Sequence, residues 1–235
     1  MKNYLTKFLF LFIFSFISIA NLSSQNLDRA FLNQHYPVDF LGLDFSEFKF
    51  IGSSGVSGYT MRDKFFGEWN YMFYSEKKKY NMGKFIKVWK RKKGEVGNRT
   101  HKWLITATNS IKYRTEFVEE INRSVDPKKI VLYNNYNLED FSKDKLQEAI
   151  NRYSFEFTSP IALTFIVNYF NWLTGESNIV AVFFDTNTKE ILFSRALTGK
   201  GSGKNFRNFW MNSIYDILGR LQKAIIKRNK KGLDT

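Results

Sequence analysis

The chain has 235 residues, 43% of them hydrophobic, a formal net charge of +14 and no cysteine. Without thiols there are no disulfides and no thiolate metal site, and two histidines, His35 and His101, are too few for a multi-histidine zinc centre. With 25 Phe, 12 Tyr and 5 Trp the chain can fill a core, and its excess of cations reads either as a surface for an anionic partner or as a solvated face that keeps the protein soluble.

Residues 1–25 read as an export segment. Lys2 and Lys7 give a positive start, Phe8 to Ala20 carry no charge, and Ala20, Ser23 and Ser24 supply small residues for cleavage. The uncharged stretch reaches only about 20 Å as a helix, short of the ~30 Å hydrocarbon core, so it reads as cleavable rather than anchoring. Cleavage is expected after Ala20, Ser24 or Gln25, leaving one globular domain over residues 26–235 in the periplasm or beyond. No later segment reaches the ~18 apolar residues of a membrane span, and no Cys is present to carry a lipid.

The chain then alternates strand and helix signals. Val38 to Leu43 and Phe48 to Ile51 read as strands, and Gly52 to Gly58 as a loop. Phe65, Trp69, Met72, Phe73 and Tyr80 predict a helix from Met61, and Met82, Phe85, Ile86 and Trp89 continue a helical face to about Arg91. Trp103 to Thr108, Tyr113 to Ile121 and Lys129 to Tyr133 are strand candidates. Ser142 caps a predicted helix to about Tyr153. Ile161 to Phe170 is the unbroken apolar run of a strand buried on both faces. A turn at Thr174 to Ser177, a strand over Asn178 to Phe184, a hairpin turn at Asp185 to Lys189 and a returning strand over Glu190 to Leu197 follow. Gly199 to Gly203 form a glycine loop, after which Trp210, Ile214, Ile217, Leu221 and Ile225 mark the buried stripe of a long helix. The expected fold is α/β, with α+β as the alternative: a mixed, partly antiparallel sheet packed by helices and ending strand-strand-strand-helix.

Positive charge is concentrated in two blocks. Lys77 to Lys93 hold nine cations and no acid, and Lys84, Lys87, Lys90 and Arg91 would form a basic surface on the helix carrying Phe85 and Trp89. The tail carries Arg220, Lys223, Lys227, Arg228, Lys230 and Lys231. Gly199-Lys-Gly-Ser-Gly-Lys204 lacks the spacing of a phosphate loop, because Thr198 and Asn205 stand where that pattern needs Gly and Ser or Thr. Lys200, Lys204 and Arg207 beside a helix start are still a candidate anion-binding set, against a plain connection that folds the helix onto the sheet. Asp44 and Asp185, at strand ends, are the candidates for acid–base chemistry, against ordinary turn chemistry.

Two stretches carry a resemblance. Phe183-Phe184-Asp185-Thr-Asn-Thr-Lys189-Glu-Ile-Leu192, Gly199 to Gly203 and Phe206-Arg-Asn-Phe-Trp210, with Val38 to Ser46, resemble exported Bacteroidota proteins of unassigned function. The strand-Asp-turn-strand-helix ending is similar in topology to curli-secretion (CsgG-like) and TolB N-terminal domains. The resemblance implies an envelope location and supplies no catalytic residues. The expectation is a non-enzymatic envelope protein that binds or assembles an anionic component or another envelope protein, with nucleic acid not the expected partner. The alternative is an envelope-polymer hydrolase using acids at strand ends.

Overall fold

The structure, a computed structural model, describes residues 37–86, 111–133 and 141–231. The export segment, both histidines, Lys87, Lys90, Arg91 and the expected strand Trp103 to Thr108 lie outside these residues. The strands are β1 (Val38–Asp44), β2 (Lys49–Ile51), β3 (Ile111–Tyr113), β4 (Val131–Leu132), β5 (Ile161–Asn171), β6 (Glu176–Asp185) and β7 (Ile191–Lys200). Helix α1 has an opening turn Gly58–Thr60, a π-helical stretch Met61–Phe65 and a body Phe66–Ser75. The other helices are α2 (Met82–Phe85), α3 (Glu116–Ser124), α4 (Lys143–Asn151) and α5 (Phe206–Lys231).

The seven strands form one sheet and the architecture is α/β. β5 is its axis. On one edge it takes β1 and then β2, both parallel, and these in turn pair in parallel with β3 and β4. Its other edge pairs antiparallel with β6, which pairs antiparallel with β7. Tyr169 is the one residue of β5 that is not buried, which explains why its sequence is apolar without alternation.

Successive residues feed opposite faces of the sheet. Leu163, Phe165, Ile179, Ala181 and Phe183 join a large cluster with α1, α2 and α5. Ala162, Ile166, Val180, Val182 and Phe184 join a second cluster with α3 and α4. Helices therefore cover both faces.

Local signals explain most elements. Ser142 Oγ accepts the Lys145 amide (3.2 Å) and starts α4. Asp185 Oδ1 accepts the amides of Asn187 (2.7 Å) and Thr188 (2.9 Å), which closes the β6–β7 turn, with Lys189 left-handed at φ 63. The predicted stripe Trp210, Ile214, Ile217, Leu221 and Ile225 is the buried face of α5.

Three expectations are corrected. Tyr113 to Ile121 is no strand: the chain leaves β3 at Tyr113 and enters α3, where Phe117, Val118 and Ile121 share one face. Glu116 and Glu119 in its first turn suit the helix dipole, and Arg123 pairs with Glu119 one turn on. The helix from Met61 does not continue its face past Tyr80: α1 ends at Ser75, a turn follows, and Asn81 Oδ1 caps the short α2 by accepting the Lys84 amide (3.3 Å). The glycine loop begins later than expected, because β7 runs through Gly199 to Lys200.

Candidate functional site: a basic, aromatic end of the sheet

Leu132, Ile51, Asn171, Glu176 and Lys200 form one row across five strands. At this row β2, β4, β5 and β7 all end, and α5 begins a few residues beyond. The carboxyl ends of parallel strands are where open α/β sheets place ligands.

The β5–β6 turn projects from the row. Asn171 Oδ1 accepts the amides of Leu173 (3.0 Å) and Thr174 (3.3 Å), and the Trp172 amide donates to Ile51 O (2.9 Å). Gly175 supplies the positive φ of 66 that closes the turn. The Trp172 ring rests against Phe206, Phe209 and Trp210 at centroid distances of 6.0, 5.6 and 6.4 Å. Even so Trp172 is 38% exposed, Leu173 62%, and Tyr133, just past β4, 76%. A large exposed apolar group held by defined bonds is a feature to be explained.

Cations surround it. Lys200 Nζ lies 3.0 Å from Glu176 and donates to Thr174 O (3.4 Å). Arg207 pairs with Glu76 at 3.5 Å, and its carbonyl accepts Trp69 Nε1 (3.1 Å). Lys204 is exposed. Lys64 Nζ sits 5.5 Å above the Phe65 ring, which in turn meets Phe206 at 4.9 Å. Lys200, Lys204 and Arg207 thus share one end of the molecule without closing on a single point, since Lys200 and Arg207 each hold a separate carboxylate.

The glycines of this loop have a packing reason. A Cβ on Gly201 would sit 2.1 Å from Phe209 Cε1, and one on Gly199 2.2 Å from Ser213 O, so glycine lets β7 and its exit lie against α5. Three of the loop amides are engaged: Lys200 N with Asp216 Oδ2 (3.2 Å), Gly201 N with Gly175 O (2.7 Å) and Ser202 N with Phe209 O (3.3 Å). Asn205 Oδ1 accepts the Asn208 amide (2.8 Å) at the start of α5.

The positive surface continues along α5. A groove of about 560 Å³ is lined by residues that include Lys200, Tyr215, Asp216, Arg220 and Lys223. Elsewhere α5 meets α2, where Gln222 Nε2 donates to Lys84 O (3.0 Å) and Lys84 is exposed. Lys79 Nζ lies over the Tyr80 and Tyr215 rings at 5.1 and 5.5 Å. α5 therefore links the two regions that the sequence marks as basic. Among the described residues, three buried polar side-chain atoms lack a hydrogen-bond partner: Ser177 Oγ, Asn208 Oδ1 and Trp210 Nε1. All three lie at the aromatic end of the sheet.

The acids are placed otherwise. Asp44 Oδ1 accepts the Ser46 amide (2.8 Å), and Oδ2 accepts Tyr153 Oη (2.5 Å). Burial, with the Asp44 carboxylate beside it, pushes the Tyr153 hydroxyl well above the ordinary phenol range. Asp185 is spent on its turn. Asp44 lies beside Ile166 on one edge of β5 and Asp185 beside Ile161 on the other, roughly 16 Å apart along the strand and two strand spacings across. They do not form a pair. A smaller pocket of about 260 Å³ between α1 and α3 is bordered by Arg62, Asp63, Glu119 and Arg123, which pair with each other at 2.7 and 3.2 Å. Its floor, Asn70 and Asn122, is bonded to the backbone of Leu43 and Phe45. Among the described residues no group of three or more His, Cys, Asp or Glu is placed to hold a metal ion.

Sequence reasoning did not single out Trp172, Leu173, Tyr133 or Lys64. The signal available was an apolar pair, Trp172-Leu173, inside a turn, where polar residues are usual.

No family model matches the chain, and no curated protein matches it. A crystal structure of a Xanthomonas campestris protein of the DUF330 family aligns at 10% identity over 85% of this chain and 92% of that one, with a TM-score of 0.22. Likeness at that level carries no argument about fold or function.

Proposed function

We propose that the protein is an exported, non-catalytic binding or assembly factor of the cell envelope that engages an anionic component through its basic end. The observation that carries this reading is the exposed pair Trp172 and Leu173 on a turn that Lys200 also contacts, next to the start of α5 with Lys204 and Arg207, at the row where four strands end. Two of those cations have a carboxylate partner, which leaves an excess of positive charge facing outward. The export-type segment and the resemblance to exported Bacteroidota proteins support the envelope location.

Adsorption to an anionic polymer tests the reading. The full-length mature protein should bind immobilised dextran sulfate, with affinity falling as salt rises. Replacing Lys64 and Lys204 by Glu should weaken binding about tenfold or more at low salt, with the melting temperature kept. Binding that ignores both salt and these charges would remove the basis of the proposal.

A further inference from the structure

We infer that the partner of this surface is an anionic lipid bilayer, with Trp172 and Leu173 entering its interfacial layer. This rests on the reading of the basic end as an anion-binding surface and names what it binds.

Four observations converge. The turn that carries Trp172 and Leu173 leaves β5 at Asn171 and enters β6 at Glu176, so it extends past the row where β2, β4, β5 and β7 end. It is ordered before any partner arrives, because Asn171 takes two of its amides and Ile51 a third. Pre-ordering removes the entropy cost of presenting an apolar group to a partner. Third, the exposed side chains are of the types that settle between headgroups and acyl chains: Trp and Tyr with amphipathic rings, and Leu as the purely apolar member.

The fourth observation is charge. Lys200 reaches the turn itself through Thr174 O, Lys204 is exposed and Arg207 stands at the start of α5 beside the Phe206 that packs on Trp172, so this end carries the positive charge that a negatively charged leaflet attracts. A soluble polyanion would satisfy the cations and leave Leu173 and Trp172 in water. A neutral protein groove would take the apolar tip and leave the cations without a role. A bilayer with acidic headgroups answers both at once. Basic charge and inserted apolar groups act together in this way at membrane surfaces. No helix among the described residues is long and apolar enough to cross a membrane, so contact of this kind is peripheral.

Co-sedimentation with vesicles separates this inference from the one it rests on. The mature protein should bind vesicles of phosphatidylcholine mixed with phosphatidylglycerol and not vesicles of phosphatidylcholine alone. Leu173→Ser, a neutral change at a side chain already 62% exposed, should weaken vesicle binding about fivefold to twentyfold and leave dextran sulfate binding unchanged. The part of the fluorescence that Trp172→Phe removes should be quenched by brominated acyl chains. Vesicle binding that survives Leu173→Ser, with no quenching of Trp172, overturns insertion while the polyanion reading stands. Failure to bind either vesicles or dextran sulfate overturns both.

Discussion

Tyr153 donates a 2.5 Å hydrogen bond to Asp44 inside the core, across 109 residues of sequence. Both side chains are almost fully buried, and Thr164 Oγ1 lies 3.2 Å from the same hydroxyl. The bond joins the chain leaving α4 to the end of β1. A carboxylate in that place is costly to strand. Tyr153→Phe should therefore destabilise the protein by about 2 kcal/mol, with the folded core otherwise intact. Urea denaturation of the two proteins side by side measures this.

The same burial gives a pH dependence. Tyr153, Tyr80 and Tyr113 all have hydroxyls pushed above the ordinary phenol range, chiefly by burial. Above pH about 10 the unfolded chain releases protons that these folded tyrosines keep. Their contribution is complete below that pH and is lost as the pH climbs towards the folded values. Urea midpoints should hold between about pH 8 and 9 and fall by about pH 11. Tyr153→Phe should flatten the fall.

Leu43, one residue before the end of β1, is held by two asparagines. Asn70 Oδ1 accepts its amide (2.7 Å), while Asn70 Nδ2 and Asn122 Nδ2 both donate to its carbonyl (3.0 and 2.9 Å). Asn122 Oδ1 also takes the Phe45 amide (2.7 Å). Each of Asn70→Leu and Asn122→Leu should cost about 1–3 kcal/mol. Because the two share one acceptor, the double mutant should depart from the sum of the singles by at least about 0.5 kcal/mol. Additive costs would show that the amides act independently.

Glycines give opposite predictions by position. A Cβ on Gly67, inside α1, meets no atom within 4 Å, so Gly67→Ala should stabilise by about 0.5–1 kcal/mol. Gly199→Ala collides with the Ser213 carbonyl at 2.2 Å and should destabilise by about 1–3 kcal/mol. Thermal melts of both variants make the comparison.

Export is tested at the amino terminus. The protein recovered from an expressing bacterium should begin at Asn21, Gln25 or Asn26, and fractionation should find it outside the cytoplasm. An intact Met1 in the cytoplasmic fraction would contradict the expectation.

Elements whose signal is local were legible before the structure. The α5 stripe, the Ser142 cap, the apolar run of β5 and the Asp185 turn each depend on spacing or on one side chain bonding its own backbone. The strand expected over Tyr113 to Ile121 failed because Tyr113, Phe117 and Ile121 share the parity of one strand face, while Phe117, Val118 and Ile121 together fit only the helical period. The break after Ser75 leaves Tyr80 outside the helix, where its hydroxyl reaches the Met211 carbonyl at 3.2 Å, a contact made far along the chain. The candidate surface was least legible. Exposure of Trp172 depends on where β5 ends relative to β2, β4 and α5, a relation no window of sequence contains.

The position of β5 also orders assembly in time. β6 and β7 follow it directly, so these three strands can zip together from contacts between near neighbours. β1 must wait for both of its partners, because Val38 pairs with Ile111 of β3 on one edge and with Ile161 of β5 on the other. A chain emerging amino end first therefore carries β1 with its β5 edge open through most of its synthesis or passage. The apolar edge of β1 is the part most in need of a chaperone, and β5 is the piece whose arrival ends that exposure.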